Sequence, residues 1–275
     1  MAGKLLFLDL DGTLLNDQKE VTPEDRAALQ KALAAGHRVV IASGRPLESV
    51  RQQARKLQLD GPGCFLIAYN GAVIYDCTAG REVFRKTLSF PVLARLFDEA
   101  ARREIYIQTY DAERVVVERG ADTANTLRYC AATGMEWQMV ENVEESLSAP
   151  PVKTLMIDYT GREKTEPMRR WVCENLSEEA ACYFSSAAFL ETVPANIDKG
   201  RAVADLCNIV GADIADTVAV GDEANDLAML RAAHVGAAMA NGVEAVKAAA
   251  DYVTEQDNNH GGVAEVIAKY LLSGA

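Results

Sequence analysis

The chain has 275 residues, of which 49% are hydrophobic and 25% are charged, and its formal net charge at pH 7 is −12. This balance is typical of a folded globular protein and excludes a disordered or fibrous chain. The negative charge disfavours sequence-independent binding to nucleic acid and binding to anionic membrane surfaces, because both carry negative charge.

The first predicted element is a strand in KLLFLDL, and its apolar run ends at Asp9. Asp9 interrupts the run before it reaches signal-peptide length, and no later run reaches the length of a membrane span. The six cysteines are scattered without a CxxC pair, so neither a zinc site nor a disulfide framework is predicted. We therefore expect a cytoplasmic protein.

Strand-like and helical runs alternate up to about residue 70, in the order KLLFLDL, PEDRAALQKALAAG, HRVVIAS, PLESVRQQARKLQ and CFLIAYN. This alternation is typical of βαβ units around a parallel sheet. The pattern returns after residue 195, with a helix in KGRAVADLCNIVG, a strand in DTVAVGD and a helix in ANDLAMLRAA.

The middle of the chain has a different order of elements. A helix in SFPVLARLFDEAARR precedes two strands, EIYIQTY and RVVVERG, and a strand, helix and two strands follow from about residue 152. We therefore predict an α/β fold with a Rossmann-like, doubly wound parallel sheet in the core domain, residues 1–83 and 191–275. An α+β domain over residues 84–190 is inserted into it.

Polar residues follow several predicted core strands. Asp9, Ser43 and Asp222 each come at or just after the end of a strand, and Lys199 opens a helix. Ligands of open parallel sheets bind at the carboxyl ends of the strands, near the point where strand order reverses. We predict that these residues converge on one crevice.

Asp9 and Asp11 place two carboxylates at the end of a buried strand, where an unpaired charge is destabilising by several kcal/mol. We interpret Asp9 as a nucleophile that attacks phosphorus and Asp11 as the acid that protonates the leaving oxygen. Strand periodicity is expected to direct both side chains to one side. A neighbouring carboxylate and partial burial are expected to raise the pKa of Asp11.

Two alternatives exist for this segment. A calcium-binding loop would explain the spacing of Asp9, Asp11 and Glu20, but the position that requires glycine is Leu14. A plain Asp-Gly turn explains Asp11 and Gly12 but leaves Asp9 unexplained at the end of a strand.

Asp222 and Asp226 lie one turn apart at the start of a predicted helix, where they would face the same way. Helix capping is the alternative, but two acids with Asn225 exceed what a cap requires. Oxygen ligands of this kind suit Mg²⁺. Several acids so close together need that cation and Lys199, although a lysine taken alone is more often a solvated helix-start residue.

Two further segments offer polar groups to a substrate. The hydroxyl of Ser43 and the adjoining backbone N–H groups at Gly44 and Arg45 can hold phosphate oxygens, although Ser-Gly after a strand is often only a turn. Asn70-Gly71 is first a hairpin turn signal, and contact between Asn70 and substrate is an open alternative.

Taken in order, DLDGTLL, ASGRP, YNGA, DKG and GDEANDLAML resemble the haloacid dehalogenase superfamily of phosphohydrolases, in particular its Cof-type branch with a large α/β cap. The resemblance implies that Asp9 is the nucleophile and Asp11 the acid/base. It implies phosphate contacts from Ser43 and Lys199, with Asn225 orienting Lys199 or the phosphate. It also implies a Mg²⁺ site at Asp9, Asp222, Asp226 and the backbone carbonyl of Asp11.

The chain departs from the branch at two positions, since the branch often has serine at Asp198 and asparagine at Glu223. Asp198 can still cap its helix. Glu223 adds negative charge near the metal site. The tail also resembles the branch, with Asn258 as a neighbour of the site.

The leading hypothesis is Mg²⁺-dependent hydrolysis of a small phosphate monoester through an aspartyl-phosphate on Asp9, with the cap enclosing the leaving group. Sugar phosphates, nucleotides and cofactor phosphates are all open as substrates. The alternatives are a phosphomutase with the same intermediate and a non-catalytic protein that binds a phosphorylated metabolite. A receiver-like switch is disfavoured because receiver domains carry no inserted domain.

Overall fold

The structure, a computed structural model, describes residues 3–111 and 114–273. The first part of the chain contains β1 (Leu5–Leu8), α1 (Pro23–Ala34), β2 (Arg38–Ala42), α2 (Leu47–Leu57), β3 (Cys64–Ala68), β4 (Val73–Asp76) and β5 (Arg81–Arg85). The middle part contains α3 (Phe90–Arg102), β6 (Ile107–Tyr110), β7 (Arg114–Glu118), α4 (Thr123–Thr133), β8 (Glu136–Val140), α5 (Val143–Ser146), β9 (Thr154–Ile157), α6 (Glu166–Asn175), β10 (Ala180–Phe184) and β11 (Phe189–Pro194). The last part contains α7 (Lys199–Val210), β12 (Thr217–Gly221), α8 (Leu227–Ala232), β13 (Val235–Ala238), α9 (Glu244–Lys247), β14 (Tyr252–Val253) and α10 (Gly262–Tyr270).

The chain divides into two compact units. Unit 1 consists of Met1–Phe84 and Asp198–Ala275, and unit 2 consists of Arg85–Ile197. The predicted boundary at residue 191 falls inside β11, which pairs with β10 and β9 of unit 2. None of the helices within the described ranges is both long enough and apolar enough to cross a bilayer.

Unit 1 is built on an eight-stranded sheet in the order β14-β13-β12-β1-β2-β3-β4-β5. The strands from β14 to β3 run parallel, and β4 returns antiparallel beside β3. The chain builds the sheet outward from β1 to β3 and later adds β12 on the other side of β1. Strand order therefore reverses between β1 and β12, which is where open α/β sheets bind ligands.

The sequence of β1 explains its central place. Its four apolar residues are all fully buried, as expected for a parallel strand that is covered on both faces. Leu5 and Phe7 lie in a core cluster with residues of α7 and α8. Because side chains alternate along a strand, Leu6 and Leu8 face the other side of the sheet. The α/β fold with a doubly wound sheet is confirmed.

Unit 2 has a six-stranded sheet in the order β10-β11-β9-β6-β7-β8. The pairs are antiparallel except β7 and β8, which run parallel with α4 between them in sequence. A core cluster joins the sheet to α3 and α6 through residues such as Leu93, Met156 and Val172. The predicted α+β insertion is confirmed, although α4 and β8 were not among the predicted elements.

Candidate active site

Asp9 lies at the reversal of strand order. It directly follows β1, and its backbone N–H donates to the carbonyl of Val220 in β12 at 3.1 Å. Its side chain is buried, and its Oδ1 accepts a hydrogen bond from Nζ of Lys199 at 2.5 Å. Pairing with β12 therefore fixes the backbone of Asp9, and an ammonium group holds its carboxylate.

Lys199 is the first residue of α7 and is 1% exposed. Its Nζ also donates to Oδ1 of Asp226 at 2.6 Å. Asp198 caps the helix by accepting from the N–H of Arg201 at 2.8 Å. A Cβ on Gly200 would lie 2.3 Å from the carbonyl oxygen of Ala228, so glycine allows α7 to approach α8 closely. The burial excludes the alternative of a solvated lysine.

Asp222 and Asp226 lie close together, but the local structure that brings them together differs from the predicted one. The expectation that they share one face of a helix is wrong, because α8 begins only at Leu227 and residues 224–226 form a 3-10 turn. Instead, Oδ2 of Asp226 accepts from the backbone N–H groups of Asp222 and Glu223 at 3.0 and 3.1 Å. The loop thus folds around the Asp226 carboxylate.

Asp222 is held by the loop that follows β1. Oγ1 of Thr13 donates to Oδ1 of Asp222 at 2.6 Å. Gly12 has φ +85°, and a Cβ there would lie 2.3 Å from Oδ2 of Asp222, so both the backbone and the space require glycine. Nδ2 of Asn241 donates to the carbonyl of Gly12 at 2.7 Å. The contacts of Thr13 and Asn241 were not predicted, because each joins segments that are far apart in the chain.

Three carboxylates are close enough to bind one metal ion. Asp9, Asp222 and Asp226 are all buried, and each offers an oxygen within 4.8 Å of the others. Carboxylate oxygens are the ligands that Mg²⁺ prefers, usually together with water and a substrate phosphate. The donor set therefore fits a magnesium ion.

The electrostatics of this cluster also fit a divalent cation. Burial raises the pKa of Asp9, against the opposing effect of Lys199, and Asp226 and Asp222 add repulsion. Burial, with repulsion from Asp226 and Glu223, raises the pKa of Asp222 to about 6. Burial would lower the pKa of Lys199, but Asp9 and Asp226 outweigh it and the pKa is raised. One ammonium group thus incompletely offsets the crowded acids.

Asp11 does not belong to this cluster. Arg45 donates to it with Nε at 3.0 Å and Nη2 at 2.8 Å, and Nζ of Lys19 lies 2.8 Å from Oδ1. Burial would raise the pKa of Asp11, but the hydrogen bonds and charges of Lys19 and Arg45 lower it. The prediction that the pKa of Asp11 is raised is therefore wrong, because the two cations outweigh the effect of burial.

The predicted phosphate loop lies beside the hairpin turn. Oγ of Ser43, which is buried, accepts from the N–H of Arg45 at 3.2 Å, and its carbonyl accepts from the N–H of Asn70 at 3.0 Å. A Cβ on Gly44 would lie 3.1 Å from both terminal amide atoms of Asn70. Asn70 has φ 55° in the turn between β3 and β4, so the hairpin signal is confirmed.

Asn225 and Asn258 were also predicted to lie near the site. Asn225 is exposed in the 3-10 turn, and within the described residues no hydrogen bond joins it to Lys199. Asn258 is buried and donates to the carbonyl of Leu15 at 3.0 Å. Its backbone N–H donates to Oδ1 of Asn241 at 3.1 Å, which links the tail to the loop around Gly12.

Comparison with known proteins places the chain among hydrolases. Residues 6–267 match the model of a family described as haloacid dehalogenase-like hydrolase. Two Bacillus subtilis (strain 168) proteins are each 30% identical to this chain. The first is 5-amino-6-(5-phospho-D-ribitylamino)uracil phosphatase YcsE, with a match over 98% of this chain and 96% of YcsE. The second is Phosphatase YwpJ, with a match over 98% of this chain and 100% of YwpJ. A haloacid dehalogenase-like hydrolase from Bacteroides thetaiotaomicron has a crystal structure with a TM-score of 0.87, 32% identity, and coverage of 97% of this chain and 99% of that chain. The resemblance drawn from the motifs is confirmed.

Proposed function

The chain belongs to the haloacid dehalogenase-like hydrolase family and is a phosphatase, and from this premise we propose that it hydrolyses small phosphate monoesters through an aspartyl-phosphate on Asp9. One observation carries the proposal. A buried ammonium group contacts Asp9 and Asp226 at the point where strand order reverses, and Asp222 completes a carboxylate cluster there.

Asp9 is the nucleophile in this mechanism. Lys199 holds Oδ1, so Oδ2 is the atom that attacks phosphorus. The new Oδ2–P bond forms as the bond from phosphorus to the leaving oxygen breaks, and a water molecule later cleaves the Oδ2–P bond to release phosphate. Lys199 also provides positive charge next to the transferred phosphate oxygens, where charge accumulates in the transition state.

Asp11 acts as the acid and base. In the first step it gives a proton to the leaving oxygen, and in the second step it takes a proton from the attacking water. Lys19 and Arg45 favour its ionised form while they contact it. The acid step therefore requires these two cations to move off Asp11 when the substrate binds.

Asp9, Asp222 and Asp226, with the backbone carbonyl of Asp11, would hold Mg²⁺. The bound ion supplies positive charge that offsets the carboxylates and the phosphate oxygens. The hydroxyl of Ser43 and the N–H groups of the following residues would bind the remaining phosphate oxygens, a role that the buried position of Ser43 supports. Gly44, Arg45, Asn70 and Asn225 are the further predicted contacts to the substrate.

The proposed substrate class rests on the charge of the chain. A chain with a net charge of −12 requires local cations to admit a phosphate ester, and Lys199, Arg45 and Mg²⁺ would provide them. We propose a small phosphorylated metabolite, namely a sugar phosphate, a nucleotide or a cofactor phosphate. The relative YcsE is named as a 5-amino-6-(5-phospho-D-ribitylamino)uracil phosphatase, and we propose a phosphorylated metabolite for this chain as well. The cytoplasm is the expected location.

Phosphate release from p-nitrophenyl phosphate and from a metabolite panel, with and without Mg²⁺, tests the proposal. The wild type is expected to turn over only with Mg²⁺, and Asp9→Asn, which has the same size, is expected to lose turnover. Activity that persists in Asp9→Asn would overturn the mechanism. Stimulation by a bisphosphorylated sugar with little net phosphate release would identify a phosphomutase instead.

A further inference from the structure

We propose that Lys19 and Arg45 bind a second anionic group of the substrate, so that the preferred ester carries a carboxylate or a further phosphate on its leaving group. This inference rests on the proposed phosphatase function and narrows its substrate class. In the structure, both cations contact the carboxylate of Asp11, and this group occupies the position that the substrate anion would take.

Two cationic side chains, Lys19 and Arg45, contact the single carboxylate of Asp11. Asp11 accepts from Nε and Nη2 of Arg45 at 3.0 and 2.8 Å and from Nζ of Lys19 at 2.8 Å. Two cations on one carboxylate leave one net positive charge, in a chain whose net charge is −12. Charge-assisted hydrogen bonds from two such cations are among the stronger contacts that an anionic group can make. The Asp17 carboxylate on the same loop is directed to Asn258 instead, at 3.4 Å.

The backbone holds Lys19 in position independently of its side chain. Its N–H donates to the carbonyl of Asn16 at 2.9 Å, and the N–H of Asn16 donates to the carbonyl of Glu20 at 2.8 Å. Oδ1 of Asn16 accepts from the N–H groups of Gln18 and Glu20. Lys19 has φ 62°, a conformation that residues other than glycine adopt rarely. The turn therefore fixes the backbone of Lys19 whether or not Asp11 accepts from its side chain.

Arg45 is anchored in the same way. Its N–H donates to Oγ of Ser43 at 3.2 Å, and its carbonyl accepts from the N–H of Tyr69 at 3.0 Å. Its guanidinium group forms two parallel hydrogen bonds with Asp11, a geometry that fits any carboxylate or phosphate. A substrate anion would find the same donors already oriented.

Exchange of Asp11 for a substrate anion requires little free energy. The side chains of Lys19, Asp11 and Arg45 are 62%, 40% and 34% exposed. Ion pairs this open to water contribute little stability, because solvation replaces most of the lost attraction. The exchange also frees Asp11 from both cations, and the acid step of the proposed mechanism requires this release.

Two matched pairs of esters test the inference. 3-Phosphoglycerate and glycerol 3-phosphate differ only in a carboxylate against a hydroxymethyl group, and fructose 1,6-bisphosphate and fructose 6-phosphate differ in one phosphate. The wild type with Mg²⁺ is expected to show a kcat/KM about tenfold higher for the more anionic member of at least one pair, the effect of one charge-assisted interaction. The pair that shows the preference identifies whether the second anion is a carboxylate or a phosphate.

The variant Lys19→Gln, which removes the charge and keeps a polar side chain, is expected to reduce that ratio at least threefold, mainly through KM. Lys31→Gln removes the same charge from an exposed position on α1 and is expected to keep the wild-type ratio. The preference should also fall with added salt, as it does for exposed charges. A thermal unfolding curve of each variant confirms that it is folded.

Equal kcat/KM values within both pairs, or an unchanged ratio in Lys19→Gln, would overturn the inference and leave the phosphatase proposal in place. The absence of turnover of every ester would overturn the phosphatase proposal and this inference with it. Wild-type data therefore distinguish the two failures. Turnover without a preference within either pair contradicts only this inference, whereas the absence of turnover contradicts the phosphatase proposal as well.

Discussion

The ammonium nitrogen of Lys199 lies 2.5 Å from Oδ1 of Asp9, and Lys199 is 1% exposed. The same nitrogen contacts Asp226 at 2.6 Å. One buried cation thus contacts two buried carboxylates. Because these groups are largely shielded from water, the energy of removing any one of them is much larger than at the surface.

Removal of this cation is expected to destabilise the protein and abolish turnover. Lys199→Met should lower the free energy of unfolding by about 3–5 kcal/mol in the absence of metal, because it leaves buried charges uncompensated. Urea denaturation measures the change. Lys247→Met is the control, since its ion pair with Glu244 is 3.7 Å long and exposed, and the expected loss is below about 1 kcal/mol. Equal losses in the two variants would contradict the prediction.

Gly12→Ala is expected to weaken Mg²⁺ binding about 10- to 100-fold, because the added Cβ would lie 2.3 Å from Oδ2 of Asp222 and displace that ligand. Gly36→Ala is a matched control. Gly36 has the same φ of +85°, but no atom lies within 4 Å of its added Cβ. Both variants share the backbone strain, and only the first disturbs the site. Calorimetric titration with Mg²⁺ that gives equal affinities for both would refute the prediction.

The stability of the metal-free protein is expected to depend on pH through Asp222. Its pKa rises from 3.8 to about 6 on folding, so between these values the folded state binds more protons than the unfolded state. The free energy of unfolding should therefore fall as pH rises from about 4 to 6, by about 3 kcal/mol from this group. Urea denaturation in chelator at several pH values should show a smaller fall in Asp222→Asn, and equal slopes would count against the assignment.

Unit 2 contains a buried ion pair of its own. Nζ of Lys153 lies 3.1 Å from Oε2 of Glu191, and their side chains are only 3% and 9% exposed. Lys153→Met is expected to destabilise the protein by about 3–5 kcal/mol, because Glu191 loses a buried cation. Arg95→Met breaks the exposed pair with Glu179, at 3.5 Å, and should lose less than about 1 kcal/mol. Chemical denaturation compares the two variants, and similar midpoints would contradict the expectation.

The order of elements in unit 1 could be predicted because each element leaves a local pattern. The apolar run of β1 and the helical run that begins at Lys199 depend on neighbours within a few residues. The motifs also indicated which residues follow strand ends. Parallel strands bring those ends to one edge of the sheet, so the proximity of Asp9, Lys199 and Asp222 was predictable from topology.

The segment that contains α4 and β8 was not predicted. Its helix begins at Thr123 with an apolar face that packs through Tyr129 against Val115 and Val117 of β7. Leu127 is 54% exposed on the same helix, which blurs the apolar periodicity. The packing of α4 on the sheet is therefore decided by tertiary contacts.

By itself the sequence determined the fold class, the family and the residue types of the candidate site, since these depend on local periodicity and on motif order. Only the tertiary structure decided the state of each charged group. Asp11 lies two residues after Asp9 in the loop that follows β1, yet Lys19 and Arg45 lower its pKa while burial raises that of Asp9. Burial and distances to charges far along the chain set these pKa values, and no local pattern encodes them.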